Sequence, residues 1–163
     1  VKTNACRLLD VLQIEYETCA YDVDPDDLSG QTVAEKIGMP PERVFKTLLC
    51  RIDSGAIVFA VLSVANELDF KKLAAAAGGR RAELVPIEEV QPLTGYIRGG
   101  VTVFASKKPF PVFVEETVQF FDLISVSAGM RGLQIVLSPA SYLRAAEGQL
   151  ADLIRSPAHG GAL

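Results

Sequence analysis

At 163 residues the chain has the length of one ordinary domain with a single core, and 49% hydrophobic against 22% charged residues excludes disorder as the default reading. No apolar run approaches the roughly 20 residues that a membrane-crossing helix needs, and Asp10, Glu15 and Glu17 break any leader-like stretch, so a non-exported cytoplasmic protein away from the membrane is expected. A net charge of −4 rules out capture of nucleic acid by the field of the whole molecule and leaves that role to a local basic surface, drawn from Lys71, Lys72, Arg80, Arg81, Arg98, Lys107, Lys108 and Arg131.

Lys2 to Leu12 places Cys6, Leu8, Leu9 and Leu12 on one stripe and predicts a helix. Ile14 to Tyr21 alternates as a strand does, and the acidic, turn-forming DVDPDDLSGQ that follows reads as a loop. Thr32 and Glu35 fit a capping box at the start of a short helix that stops at Gly38, ahead of Pro40 and Pro41. Val44 to Ile52 and Ala56 to Val64 are two apolar runs joined by Asp53-Ser54-Gly55, the clearest hairpin in the chain. Asp69 to Ala77 predicts an Ala-rich helix ended by Gly78-Gly79, and Ala82 to Val85 a small strand. Pro86 to Val90 predicts a helical turn. Further strands are expected at Val101–Ala105, Pro111–Glu115, Leu123–Ser127 and Leu133–Leu137, then a helix over Pro139–Ala146. Residues 1–155 are read as one domain and 156–163 as a flexible tail. Non-alternating strands mixed with short helices argue for an α/β domain with a mixed, curled, barrel-like sheet and helices packed outside it.

The only histidine is His159, in the segment SPAHGGAL, which leaves little room for a histidine-based catalytic apparatus or metal site. The three cysteines, Cys6, Cys19 and Cys50, lack metal-ligand spacing and cannot all pair, as in a reducing compartment. A thiol hydrolase using Cys50 or Cys19 would lack a base to form its thiolate.

Lys46, in VFKTLLC, shares a strand face with Val44, Leu48 and Cys50. A lysine there either snorkels to an edge or points into a cavity with an anionic guest. TGYIRGGVTVF carries Gly95, Gly99 and Gly100, and SAGMRG, with Arg131, separates two strands. Such loops are tight turns or present N–H groups to an oxyanion or phosphate. Neither has P-loop or dinucleotide spacing.

Lys46 in VFKTLL, then LDFKKLAAAAG, TGYIRGGV and SAGMRGLQIVLSP occur in the order seen in YbaK-type proteins, relatives of the editing domain of bacterial prolyl-tRNA synthetase. The resemblance runs from about Ala5 to Asp152. It implies a trans-editing deacylase that hydrolyses the ester of mischarged tRNA, with Cys-tRNA(Pro) as the first choice and Ala- or another small-residue-tRNA as the alternative. By that resemblance Lys46 holds the 3′-terminal nucleotide or its phosphate, and Thr47 stands beside it. Gly99 and Gly100 carry oxyanion donors. Ser127 and Gly129 line the amino-acid pocket, while Tyr21 and Thr94 border the cleft. The attacking group would be water or, for a cysteinyl substrate, its own thiol. No metal or organic cofactor is implied, and the partners are the tRNA acceptor end and prolyl-tRNA synthetase.

Two departures bear on specificity. A proline that often follows the paired glycines is absent from Gly100-Val101-Thr102-Val103, and an acid seen in some members is Gln134 here. Both keep open a second reading, a non-catalytic module that holds a tRNA end or a synthetase.

Overall fold

The computed structural model describes residues 2–156. Most of the 156–163 tail expected from the sequence, His159 included, lies outside the described residues.

Helix α1 (Asn4–Val11) starts where Thr3 accepts the Cys6 N–H, and it buries Ala5, Cys6 and Leu9. Strand β1 (Glu17–Ala20) is shorter than the alternating run, since only these four residues pair with a neighbouring strand. Helix α2 (Gly30–Ile37) begins two residues before the predicted cap. Ser29 is the cap, accepting the Thr32 N–H, while the Thr32 hydroxyl is drawn to Asp27 at 2.6 Å. Gly38 ends it in the left-handed conformation, as predicted.

The hairpin is strand β2 (Phe45–Ile52) against strand β3 (Ile57–Ser63), paired from Phe45–Ser63 to Arg51–Ile57. Both faces of these strands are covered. Phe45, Leu49, Phe59 and Val61 belong to the larger core cluster, whereas Cys50, Ile52, Val58, Ala60 and Leu62 belong to a second one. This accounts for their unbroken apolar sequence. Helix α3 (Phe70–Ala76), capped by Asp69, seals the second cluster with Leu73.

Strand β4 (Ala82–Leu84) leads to helix α4 (Ile87–Thr94), which runs past the predicted turn and through Pro92. The proline has no N–H to give the carbonyl of Glu88 four residues before it, and Glu88 is exposed. Val101–Ala105, expected as a strand, forms none. Its backbone groups are taken locally: Thr102 Oγ1 accepts the Phe104 N–H, and the Tyr96 hydroxyl donates to Phe104 O at 2.6 Å.

Strands β5 (Val112–Glu115), β6 (Ile124–Ser127) and β7 (Leu133–Leu137) follow, then helix α5 (Pro139–Ala146) and strand β8 (Gln149–Ala151). The sequence gives β8 no apolar signature. Its three residues are held by parallel pairing to β5.

The strands form two sheets, β1-β7-β6 and β4-β2-β3-β5-β8, the second mixing antiparallel and parallel pairs. The mixed α/β character is as expected, and the strands are divided between two sheets that do not close into a barrel. Among the described residues the two sheets meet at a single parallel bridge, Val44–Ser125, and the edges at β4 and β8 stay unpaired with the other sheet.

The last described residues are tied in twice. The buried Glu115 carboxylate accepts the Leu153 N–H at 2.8 Å and the Thr117 N–H at 2.9 Å. Asp69 N–H donates to Leu153 O and Arg155 N–H to Glu67 O, so residues 153–155 flank the loop that follows β3.

Candidate active site

Lys46, Thr47, Gly99, Ser127 and Gln134 line one cavity of about 550 Å³ between the start of β2, the loop after α4 and the end of sheet β1-β7-β6. Its remaining wall is largely apolar, with Leu28, Val44, Val64 and Val85 among the contributors. A few polar groups converging in an apolar concavity is the ordinary form of a small-molecule site.

Lys46 is half-buried, and its Nζ donates to Asn66 O at 3.0 Å. Burial holds its pKa below the usual lysine value, and the nearby Glu67 carboxylate offsets part of that shift. The carbonyl seat is itself braced. Asn66 N–H bonds Ser63 O, and the Ser63 hydroxyl donates to Pro41 O at 2.9 Å and accepts from Ala65 N–H. One of the ammonium's three protons is thus used, and two remain for an anionic guest.

The two glycine-rich loops touch. Arg131 Nε donates to Arg98 O at 2.8 Å. A β-carbon on Gly100 would lie 3.0 Å from the Met130 backbone, and one on Gly129 would lie 2.9 Å from the Tyr96 ring. Only glycine permits this closeness. Gly99 adopts φ 87° and its N–H has no intramolecular acceptor among the described residues, whereas the Gly100 N–H is spent on Ile97 O at 2.9 Å. Of the two N–H groups expected as oxyanion donors, only that of Gly99 is unpaired in this conformation.

Four expected site residues lie outside the cavity lining: Gly100, Thr94, Gly129 and Tyr21. Gly100 packs beneath the loop. Thr94 is buried, donating to Val90 O and accepting the Tyr96 N–H, which fixes the turn out of α4. Gly129 N–H donates to Ser127 Oγ at 3.1 Å and makes room for Tyr96. Tyr21 N–H bonds Gly132 O, which joins β1 to the second glycine loop.

Tyr96 was not singled out by sequence reasoning. Burial raises its pKa, so the phenol keeps the proton with which it holds Phe104 O. Ser125 was missed as well; its Oγ donates to Gln134 Oε1 at 2.8 Å in the buried wall. Of the two LDFKKLA lysines, Lys72 pairs with Asp152 and donates to Ile154 O, while Lys71 stays exposed. Cys50 is buried and its thiol is pushed up to about 12, which removes it as a nucleophile near neutral pH. No metal-binding cluster and no membrane-length apolar helix occur among the described residues.

The fold is a mixed α/β domain with one polar-lined apolar cavity at the junction of its two sheets, an architecture that suits a hydrolase or a binding module for a small anionic end group. Comparison with known proteins decides the family. The profile of the aminoacyl-tRNA editing domain matches residues 25–145. EbsC of Enterococcus faecalis, described as a candidate Cys-tRNA(Pro)/Cys-tRNA(Cys) deacylase, is 39% identical over 93% of this chain and 93% of its own. The multifunctional Ser/Thr-tRNA deacylase ProXp-y of Escherichia coli is 32% identical, covering 77% of this chain and 78% of its own. A solved structure described as a candidate trans-editing enzyme for prolyl tRNA synthetase superposes with a TM-score of 0.81 at 21% identity, covering 96% of this chain and 99% of the other. This chain therefore belongs to the aminoacyl-tRNA editing domain family.

Proposed function

We propose that this protein is a trans-editing deacylase that hydrolyses mischarged aminoacyl-tRNA in the cytoplasm, with Cys-tRNA(Pro) as its principal substrate. The observation that carries this reading is the meeting of Lys46 and the unpaired Gly99 N–H in one cavity. A cation with free protons suits the terminal phosphate of the acceptor end. A fixed N–H suits the ester oxygen as it gains charge, worth about 3 kcal/mol of barrier. Water adds its oxygen to the acyl carbon, the ester C–O bond breaks, and the water's proton leaves with the ribose hydroxyl. An aminoacyl ester is already activated, so positioning and one donor supply what the reaction needs without a histidine.

The tRNA end would enter the Lys46 cavity, and of the LDFKKLA lysines Lys71 rather than Lys72, which is paired with Asp152, is free to meet the backbone. The acidic net charge restricts the footprint to the acceptor end and leaves prolyl-tRNA synthetase to supply further affinity. Deacylation of Cys-tRNA(Pro) and Ala-tRNA(Pro), beside a Lys46→Ala variant, tests the reading. Ester loss that depends on Lys46 supports it. Binding of charged tRNA with the ester left intact would make the protein a non-catalytic module instead.

A further inference from the structure

Gln134 lies on β7 directly opposite Ser127 on β6, and both side chains line the cavity. Ser125, two residues from Ser127 and on the same strand face, is fully buried, and its hydroxyl donates to Gln134 Oε1 at 2.8 Å. A serine hydroxyl can donate to a carboxamide oxygen or accept from its nitrogen, and here it donates. Oε1 is consumed in the wall, and Nε2, with no acceptor among the described residues, is left as a neutral donor at the cavity. Ser127 is partly committed too, because its oxygen accepts the Gly129 N–H.

We infer that Gln134 reads the amino-acid side chain of the substrate through Nε2, selecting residues with a β-heteroatom that can accept a hydrogen bond. Ser125 is the positioning residue that fixes the presented end. This rests on the deacylase reading of the same cavity. A thiol sulfur or a hydroxyl oxygen on the substrate's β-carbon satisfies the donor. The methyl group of alanine shields Nε2 from water and gives it nothing in return. A buried donor left unpaired opposes binding much more than a formed bond favours it, which makes the residue a filter against apolar side chains.

The test is single-turnover deacylation of Cys-, Ser- and Ala-tRNA(Pro) by the native protein and by Gln134→Leu, Ser125→Ala and Ser125→Thr. The native protein should favour Cys and Ser over Ala by about 10-fold, the scale of one hydrogen bond. Gln134→Leu should bring that ratio close to unity. Ser125→Ala should lower it part of the way, since the amide can then turn, and Ser125→Thr should restore it. That rescue is what a merely structural serine would not produce. Should the leucine variant fail to fold, Gln134→Met keeps the side-chain length, and its ratio decides the question. A native protein without preference, or a ratio unmoved in the active Gln134 variants, overturns the inference alone. A native protein that cleaves none of the three esters overturns the deacylase reading and the inference with it.

Discussion

Gly99 and Arg131 are locked together across the two glycine-rich loops: a β-carbon on Gly99 would lie 3.3 Å from the same Arg131 Nε that donates to Arg98 O. Gly99 also sits at φ 87°, where L side chains are strained. Gly99→Ala should therefore shift the loop and turn its N–H away from the cavity. The expected result is a loss of roughly 10-fold or more in deacylation rate, with stability lowered by about 1–2 kcal/mol. Parallel rate and urea-melt measurements separate the two effects.

Arg131 acts on the same loop from outside the cavity lining. Its loss should lower kcat while KM for tRNA changes little, because the Gly99 N–H loosens while Lys46 keeps its seat on Asn66 O. Arg131→Lys should not rescue, since an ammonium cannot reproduce the planar Nε–H bond to Arg98 O. A change in KM alone would show that Arg131 meets the nucleic acid directly.

The depressed pKa of Lys46 gives an alkaline signature. Its cation, and with it the proposed grip on phosphate, should be lost as pH rises through a value below the ordinary lysine range. Affinity for uncharged tRNA, followed by fluorescence anisotropy, should fall earlier than ordinary lysine titration allows, and Lys46→Arg should abolish that early fall. The stability effect has the opposite sense. Between the folded and unfolded pKa values the unfolded chain binds more protons, so the penalty for burying the charged lysine is present at lower pH and relieved as pH rises through that window.

Gly30 opens α2 directly against Val64, the residue after β3: an added β-carbon would lie 2.2 Å from Val64 Cγ1. Gly30→Ala should cost about 1–3 kcal/mol through overpacking, seen as a lower melting temperature. Val64→Ala in the same chain should recover part of the loss, because the two positions share one contact.

Cys50→Ala should leave deacylation unchanged. The thiol is sealed in the second core cluster, and its pKa of about 12 keeps it protonated. A rate loss with the melting temperature preserved would return a cysteine to the mechanism.

What could be read from the sequence follows the range of the forces involved. Lys46 stood out because a lone cation in an apolar strand needs a reason, and the hairpin because its turn residues act within a few positions. The misplaced α2 cap shows where local reading fails. Ser29 and Thr32 both suit a cap, and the choice fell to the Asp27 carboxylate, which holds Thr32 and frees Ser29. Val101–Ala105 had strand composition but no partner strand, because Tyr96 and Thr102 took its backbone groups. The Ser125–Gln134 bond depends on the register of β6 against β7, and the Tyr96–Gly129 contact on two loops distant in sequence. Neither leaves a mark on periodicity. Gly99 and Gly100 look equivalent as letters, and only the bond from Gly100 to Ile97 O tells them apart.

The clamp on residues 153–155 has a consequence for the order of folding. The β2–β3 hairpin that carries Lys46 closes a short loop and can form early, since local contacts cost little chain entropy. The Glu67–Asp69 segment that continues from the lysine's seat at Asn66 gains its second wall only when Leu153 and Arg155 return to it. During synthesis the strand bearing the lysine is therefore present long before its surroundings are complete, and the site becomes competent among the last events of folding.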